Sequence, residues 1–270
     1  MSALGLYEYI NIEKTWFKIN KLNLSLRNLN PAFEGMKIVH LSDLHFGSLI
    51  TVERFSDVVQ MVNRQDPDLI LITGDIIDHS TPKPRIPEYI DELAKLTAAL
   101  GVFAVLGNHD HWLDADLALW MLEQSGIKEL NNRVETLSQG EALFHLCGLD
   151  DYMVGAQDLD AVLDVLPESG CAVLLVHEPD YADFSAATGR FSLQLSGHSH
   201  GGQVDIPLYG PPIIPDYARK YPRGLYDVDG MALYTNTGIG MIPPYVRFNC
   251  RPEVAVFILE RSPDGETETT

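Results

Sequence analysis

Positive charge is scarce in this sequence. Its 270 residues hold 19 Lys and Arg against 38 Asp and Glu, a net charge of −19. A field of that sign repels polyanions and argues against stable binding of long nucleic acid. Cysteine is scarce too: only Cys147, Cys171 and Cys250 occur. An odd set this small excludes a disulfide framework. Two of the three lie in the apolar stretches "FHLCGL" and "GCAVLLV", so buried, reduced thiols are expected, as in a cytoplasmic protein. No apolar run approaches the ~20 residues that a membrane helix needs. The opening "MSALGLYEYINIEK" has no basic region ahead of an apolar segment and is read as carrying no signal peptide.

What the chain does have is material for a core, at 46% hydrophobic residues. The absence of repeats and low-complexity linkers points to a single domain over residues 1–262. Residues 1–36 are expected to form a strand or hairpin extension, because Leu22, Leu24 and Leu26 alternate with polar residues. The end, "PDGETETT" (263–270), is polar and is expected to be disordered. Short runs rich in Val, Ile and Leu read as buried strands: "MKIVHLSD", "DLILITGD", "GVFAVLGNHD", "ALFHLCGLDD", "AVLLVHEPD", "FSLQLSGHSH", "MALYTNTG" and "EVAVFILE". Helical patterns separate the early ones. Thr51 can cap a helix with Val52, Phe55, Val58, Val59 and Val62 on one face. "PEYIDELAKLTAAL" predicts a helix closing at Gly101, and "DADLALWMLEQSG" and "DLDAVLDVLPESG" predict two more. Strands alternating with helices imply an α/β fold. The helix-poor later strands imply that the sheet is mixed.

Several strands end in the same unusual way. The first is followed by Asp43 and His45, spaced D-x-H. The second is followed by Gly74, Asp75 and Asp78, and the third by Gly107, Asn108, His109 and Asp110. A later strand is followed by His177, and another by His198 and His200 of "SGHSH". The carboxyl ends of parallel strands face one crevice. Each piece alone is ordinary: a turn aspartate, a loop amide, a satisfied core histidine. Together they would bury many polar groups, at roughly 2 kcal/mol or more for each left without a partner. Divalent cations supply that partner. The donor set is nitrogen and oxygen only, which suits Mn²⁺, Fe or Zn²⁺ and excludes a cysteine cage. If "GHSH" is extended, its histidines share one face and the serine points away.

The order D-x-H, G-D-x-x-D, G-N-H-D, a single His, then G-H-x-H resembles the calcineurin-like metallophosphoesterases from about Lys37 to His200. "SGHSHGGQ", the proline-rich stretch after it and "YPRGLY" resemble a bacterial branch of small phosphodiesterases, some of which hydrolyse the diphosphate of UDP-2,3-diacylglucosamine. The resemblance implies two packed mixed β-sheets flanked by helices, a four-layer αββα sandwich. It implies two divalent ions per chain, one on Asp43, His45, Asp75 and His200, the other on Asp75, Asn108, His177 and His198. A hydroxide bridging them would attack phosphorus in a diester or diphosphate. His109 would protonate the leaving group, oriented by Asp78. The protein-phosphatase branch fits less well, since "GDIIDHS" lacks its Arg-Gly. A small-nucleotide phosphodiesterase is the alternative enzyme. A metal-binding scaffold without activity is disfavoured by the complete motif set.

Other polar residues are read more plainly. His40 and His145 are expected in the core, and Asp110 is expected to brace its loop. Substrate contacts are expected from Arg219, Lys220 and Arg223 in the proline-rich segment 203–224, and from His111. That segment and 238–252 mix apolar and basic residues, which suits an amphiphilic phosphate such as a nucleotide-lipid or phospholipid head group. They also suit peripheral contact with the inner face of a membrane. No protein partner is inferred.

Overall fold

The computed structural model describes residues 12–47 and 49–262, and all eight apolar runs form strands in it. One sheet holds β1 (Lys18–Leu26), β2 (Lys37–Leu41), β3 (Leu69–Thr73), β4 (Val102–Val105), β5 (Lys128–Glu129) and β12 (Glu253–Arg261), ordered β1-β12-β2-β3-β4-β5. The other holds β6 (Arg133–Gln139), β7 (Ala142–Gly148), β8 (Cys171–Leu175), β9 (Leu193–Ser196), β10 (Gly224–Val228) and β11 (Met231–Thr235), ordered β10-β11-β9-β8-β7-β6. Both are mixed. β2 through β5 run parallel, while β12 is antiparallel to β2. β7, β8, β9 and β11 run parallel, with antiparallel partners β6 and β10 at the edges.

Continuous apolar runs are needed because each central strand is covered on both faces. Leu69 and Leu71 of β3 face the second sheet, while Ile70 and Ile72 face helices. Cys171, Val173 and Leu175 of β8 face the first sheet, and Ala172 and Leu174 face away from it. On the outer side of the first sheet pack α1 (Val52–Asn63), α2 (Ile86–Leu93) and, beyond α3 (Asn108–Leu113), α4 (Ala115–Gln124). α5 (Leu159–Val165) and α6 (Ala182–Ala187) cover the second sheet. The result is the four-layer αββα sandwich expected. Each fully buried Val, Leu, Ile or Phe contributes roughly 1.5–3 kcal/mol.

Several local details follow the sequence. Thr51 caps α1, its hydroxyl accepting from Arg54 N at 3.4 Å, and the five apolar residues named above are buried. β1 is an edge strand paired in parallel with β12, with Leu24 and Leu26 buried; residues 1–11 of the expected extension lie outside the described residues. The three cysteines are free and buried. The polar end 263–270 lies outside the described residues.

Other details do not. The helix expected to close at Gly101 ends at Leu93. Asn63 intercepts the following backbone, accepting from Thr97 N at 3.1 Å and donating to Lys95 O at 2.7 Å. β5, β6 and β10 correspond to no apolar run, since such edge strands are half-exposed and need no apolar face.

Candidate metal centre

The loops that follow β2, β3, β4, β8 and β9 meet at one end of the two sheets. Backbone bonds stitch them together: Asp43 N donates to Gly74 O at 3.0 Å, His45 N to Asp75 O at 2.9 Å and Gly197 N to His177 O at 2.9 Å. Asp43, His45, Asp75, His198 and His200 all have positive φ, between 43° and 65°. Left-handed backbone costs a non-glycine residue roughly 1–3 kcal/mol and persists where the surroundings enforce it, typically at functional sites. The "GHSH" segment is therefore not extended. Ser199 is right-handed, with φ −70°, between the two left-handed histidines. This alternation of handedness, rather than the pleat of a strand, brings both imidazoles inward. Close approach also explains Gly74: a Cβ there would lie 2.6 Å from Gly107 N and 2.7 Å from His177 Nδ1.

Two donor clusters result. In one, Asp43, His45, Asp75 and His200 offer atoms within 4.8 Å of one another; in the other, Asp75, His177 and His198 do the same. Asp75 belongs to both, its Oδ2 lying 3.4 Å from His45 Nε2 and 3.1 Å from His177 Nε2. Its Oδ1 accepts from His109 N at 2.8 Å. Asn108 opens α3 directly after Gly107, where an added Cβ would lie 2.9 Å from His177 Cε1. Asn108 is buried, and its Oδ1 has no hydrogen-bond partner. His177 Nδ1 donates to Thr73 O at 2.6 Å, which turns Nε2 toward Asp75 Oδ2, 3.1 Å away. His198 Nε2 donates to Asp216 O at 2.9 Å, which leaves Nδ1. Fixing one ring nitrogen so that the other can ligate is how proteins prepare a histidine for metal. Buried acceptors left over in this way fit a pair of cations, and the nitrogen and oxygen donors suit divalent ions.

The electrostatics agree. Burial opposes the charge on Asp75, but His177, then His45 and His109, hold its carboxyl well below the usual range. Burial likewise opposes a charged His177, yet Asp75 and Asp43 raise it well above its ordinary value. His198 is pushed down to about 3 by burial and His177, and His200 is lowered by burial and His45, so both are neutral donors. Cations entering here would displace protons shared between imidazoles and carboxylates.

Asp78 sits differently from expectation. Its Oδ2 is 3.3 Å from His45 Nδ1, and no hydrogen bond joins it to His109 among the described residues. The cause is local: Asp78 N donates to Thr81 Oγ1 at 2.9 Å, and that hydroxyl donates to Phe46 O at 2.5 Å, tying the loop to the His45 segment. Asp78, His45 and His109 still offer atoms within 4.8 Å of one another. His109 is half-buried, its ring centroid 4.8 Å from that of His45 and 5.0 Å from that of Trp112. Burial lowers its pKa, with nearby imidazoles adding to the effect.

Asp110 braces the loops as expected, accepting from Ile76 N and Ile77 N at 2.9 Å and from Gly107 N at 3.0 Å. His111 is not directed at the donor clusters but pairs with Asp150 at 2.7 Å, a partner that no sequence motif marks. The three basic residues expected to contact substrate are engaged elsewhere: Arg219 with Asp216 at 2.7 Å, Lys220 with Asp183 at 2.7 Å and Arg223 with Asp205 at 2.8 Å. An acidic surface offers each cation a nearby carboxylate. His40 and His145 are core residues, bonded to Thr73 Oγ1 and Thr136 Oγ1 at 2.8 and 2.9 Å. Reasoning from the sequence overlooked Trp112, which is 61% exposed beside His109. Its place one turn along from "GNH" was the available signal.

Comparison with known proteins identifies the family. The calcineurin-like phosphoesterase family pattern matches residues 36–202. The chain belongs to that family and is a metallophosphoesterase. It is 37% identical to the metallophosphoesterase YkuE of Bacillus subtilis, over 96% of this chain and 92% of that one. It is 31% identical to the phosphodiesterase YaeI of Escherichia coli, over 96% and 93%. Among solved structures, TT1561 of Thermus thermophilus shares the fold, with TM-score 0.50 and 12% identity over 76% of this chain and 90% of that one. The family is dimetal-dependent, and this chain supplies candidate ligands for both ions.

Proposed function

We propose that the chain is a dinuclear metal-dependent hydrolase of phosphodiester or diphosphate bonds. One observation carries this reading: two buried donor clusters share Asp75, with the buried Asn108 Oδ1 left without a hydrogen-bond partner. One ion would take Asp43, His45, Asp75 and His200; the other would take Asp75, Asn108, His177 and His198. Bound ions supply Lewis acidity to a phosphoryl oxygen and make water acidic enough to react near neutral pH. The chain's own residues do the rest. Asp78 steadies His45. His109, half-buried at the mouth, is placed to give a proton to the departing oxygen. Its lowered pKa makes that proton easier to release, and an arriving phosphate favours the protonated form.

For the substrate, an amphiphilic phosphate fits best. A cavity of about 180 Å³ opens beside Ser199 and His200, lined by Pro212, Ile213, Ile242 and Pro243 among others. Leu208 and Ile213 are exposed in the same segment, which also supports peripheral contact with a membrane. The exposed Trp112 beside His109 favours a second reading, a small nucleotide whose base stacks there. The test is hydrolysis of an aryl phosphodiester by chain stripped with chelator and reloaded with Mn²⁺. Metal-dependent turnover is expected. A chain that binds two ions yet cleaves neither diesters nor diphosphates would be a scaffold. Diesters of increasing alkyl length, set against small nucleotide diesters, separate the two substrate readings.

A further inference from the structure

The segment "GIGMIPPYVRFNC", Gly238–Cys250, contains an arginine that the chemistry above leaves unused. Arg247 is fully buried and is the largest of the fully buried side chains. Among the described residues it has no carboxylate partner. Its two terminal nitrogens donate to main-chain carbonyls, while Nε has no hydrogen-bond partner: Nη1 donates to Cys250 O at 3.1 Å, and Nη2 donates to Thr237 O at 2.8 Å, Gly238 O at 3.1 Å and Gly240 O at 2.8 Å. A planar fork of five donors suits such a cage; a lysine ammonium does not.

The opposite side of the same strip faces one cation pocket. A peptide unit points its N–H away from its C=O, so turning Gly238 O toward Arg247 turns Ile239 N outward. Ile239 N donates to Ser42 O at 2.9 Å, and Gly240 N donates to Asp43 O at 2.6 Å. Added Cβ atoms show how close the packing is. One at Gly238 would lie 3.2 Å from His200 Nδ1, and one at Gly240 would lie 2.8 Å from His45 Cβ. Cys250, whose carbonyl Arg247 holds, places its Sγ 3.3 Å from His200 O. The backbone that Arg247 gathers therefore touches Asp43, His45 and His200 together. These contacts do not extend to His177 or Asn108.

We propose that Arg247 is the positioning residue of the Asp43–His45–His200 pocket. Its guanidinium locks the strip from Thr237 to Gly240 in the one orientation that holds the left-handed Asp43 loop and the His200 turn at ligating distance. The inference rests on the two-ion reading and adds that this clamp supports the first pocket more than the second, whose imidazoles are held by Thr73 O and Asp216 O and which meets the clamped Asp43 loop through His198 N, donating to Asp43 Oδ1 at 3.1 Å.

The test measures Mn²⁺ affinity by calorimetry on the full chain, in two single-pocket backgrounds. His177→Ala leaves the Asp43–His45–His200 pocket intact, and His45→Ala leaves the other. Adding Arg247→Lys is expected to weaken Mn²⁺ binding about 10–100-fold in the first background, the usual loss for a residue supporting metal ligands. In the second, affinity stays within about twofold. Equal losses in both backgrounds, or none in either, overturn the proposal. Gly240→Ala provides a second route if Arg247→Lys does not fold, because its methyl group presses on Asp43 O and His45 from the opposite side. The same one-pocket loss is expected, and a soluble Gly240→Ala chain with native affinity in the first background also overturns it. Wild-type chain that binds no Mn²⁺ would defeat the two-ion reading itself, a different result from two tight sites indifferent to Arg247.

Discussion

The loops that carry the donor clusters and the loops that rim them leave the same ends of the sheets, yet they are built on opposite rules. In the donor loops polar side chains are buried, five residues hold left-handed backbone, and acceptor atoms are left without hydrogen-bond donors. In the rim segment 203–224 the charged groups have found acids of their own, while Ile206, Leu208, Tyr209 and Ile213 face solvent. The contrast shows where unmet demand lies. The donor loops offer a ligand set suited to cations, and the rim presents apolar side chains to solvent.

The largest expected effect breaks the donor side. Asp75→Asn should lose both ions and more than ~10²-fold of turnover, beyond the loss of a residue that merely supports a ligand. Metal content and diester hydrolysis measured on one preparation check it. Next, His109→Ala should keep both ions and lose about 10²–10⁴-fold on alkyl diesters, with a smaller loss on aryl esters that leave without a proton. On the rim, Ile213→Glu should raise KM for a long-chain diester about tenfold and leave a short-chain one unchanged, as expected from one exposed apolar contact. An equal rise for both substrates would remove the apolar subsite.

A buried imidazole outside the clusters provides a reference. Burial holds His40 at about 3, against 6.5 when exposed. The unfolded chain therefore binds a proton between those values that the folded chain refuses. Stability from this group is complete above pH 6.5 and falls as pH drops toward 3, by at most about 1.4 kcal/mol per pH unit. Denaturant unfolding of the chelator-treated chain should show a shallower acid loss in His40→Gln than in wild type. Smallest of all should be Arg219→Ala combined with Lys220→Ala. Solvent screens exposed ion pairs until they contribute little, so turnover and midpoint should barely move. A tenfold fall in turnover would return these residues to the substrate site.

Much of the donor side was legible in the sequence because its signal is local: an apolar run followed at once by Asp, Asn or His. The fold was legible for the same reason, since central strands covered on both faces must be apolar throughout. The rest depends on partners distant in sequence. Nothing near Lys220 announces Asp183, and nothing in "DELAKLTAAL" shows that Asn63 will end the helix early. The spacing of "GHSH" suggested an extended backbone, whereas the chain turns both imidazoles inward through two left-handed residues. Arg247 was invisible as a clamp because its acceptors are carbonyls, which carry no sequence signature.

The central claim is that Asp75 joins two cation pockets. Anomalous diffraction from crystals of the Mn²⁺-loaded chain tests it most directly. Two peaks about 3.5–4 Å apart, flanking the Asp75 carboxylate, are predicted. A single peak, or two that do not share that residue, would contradict the account.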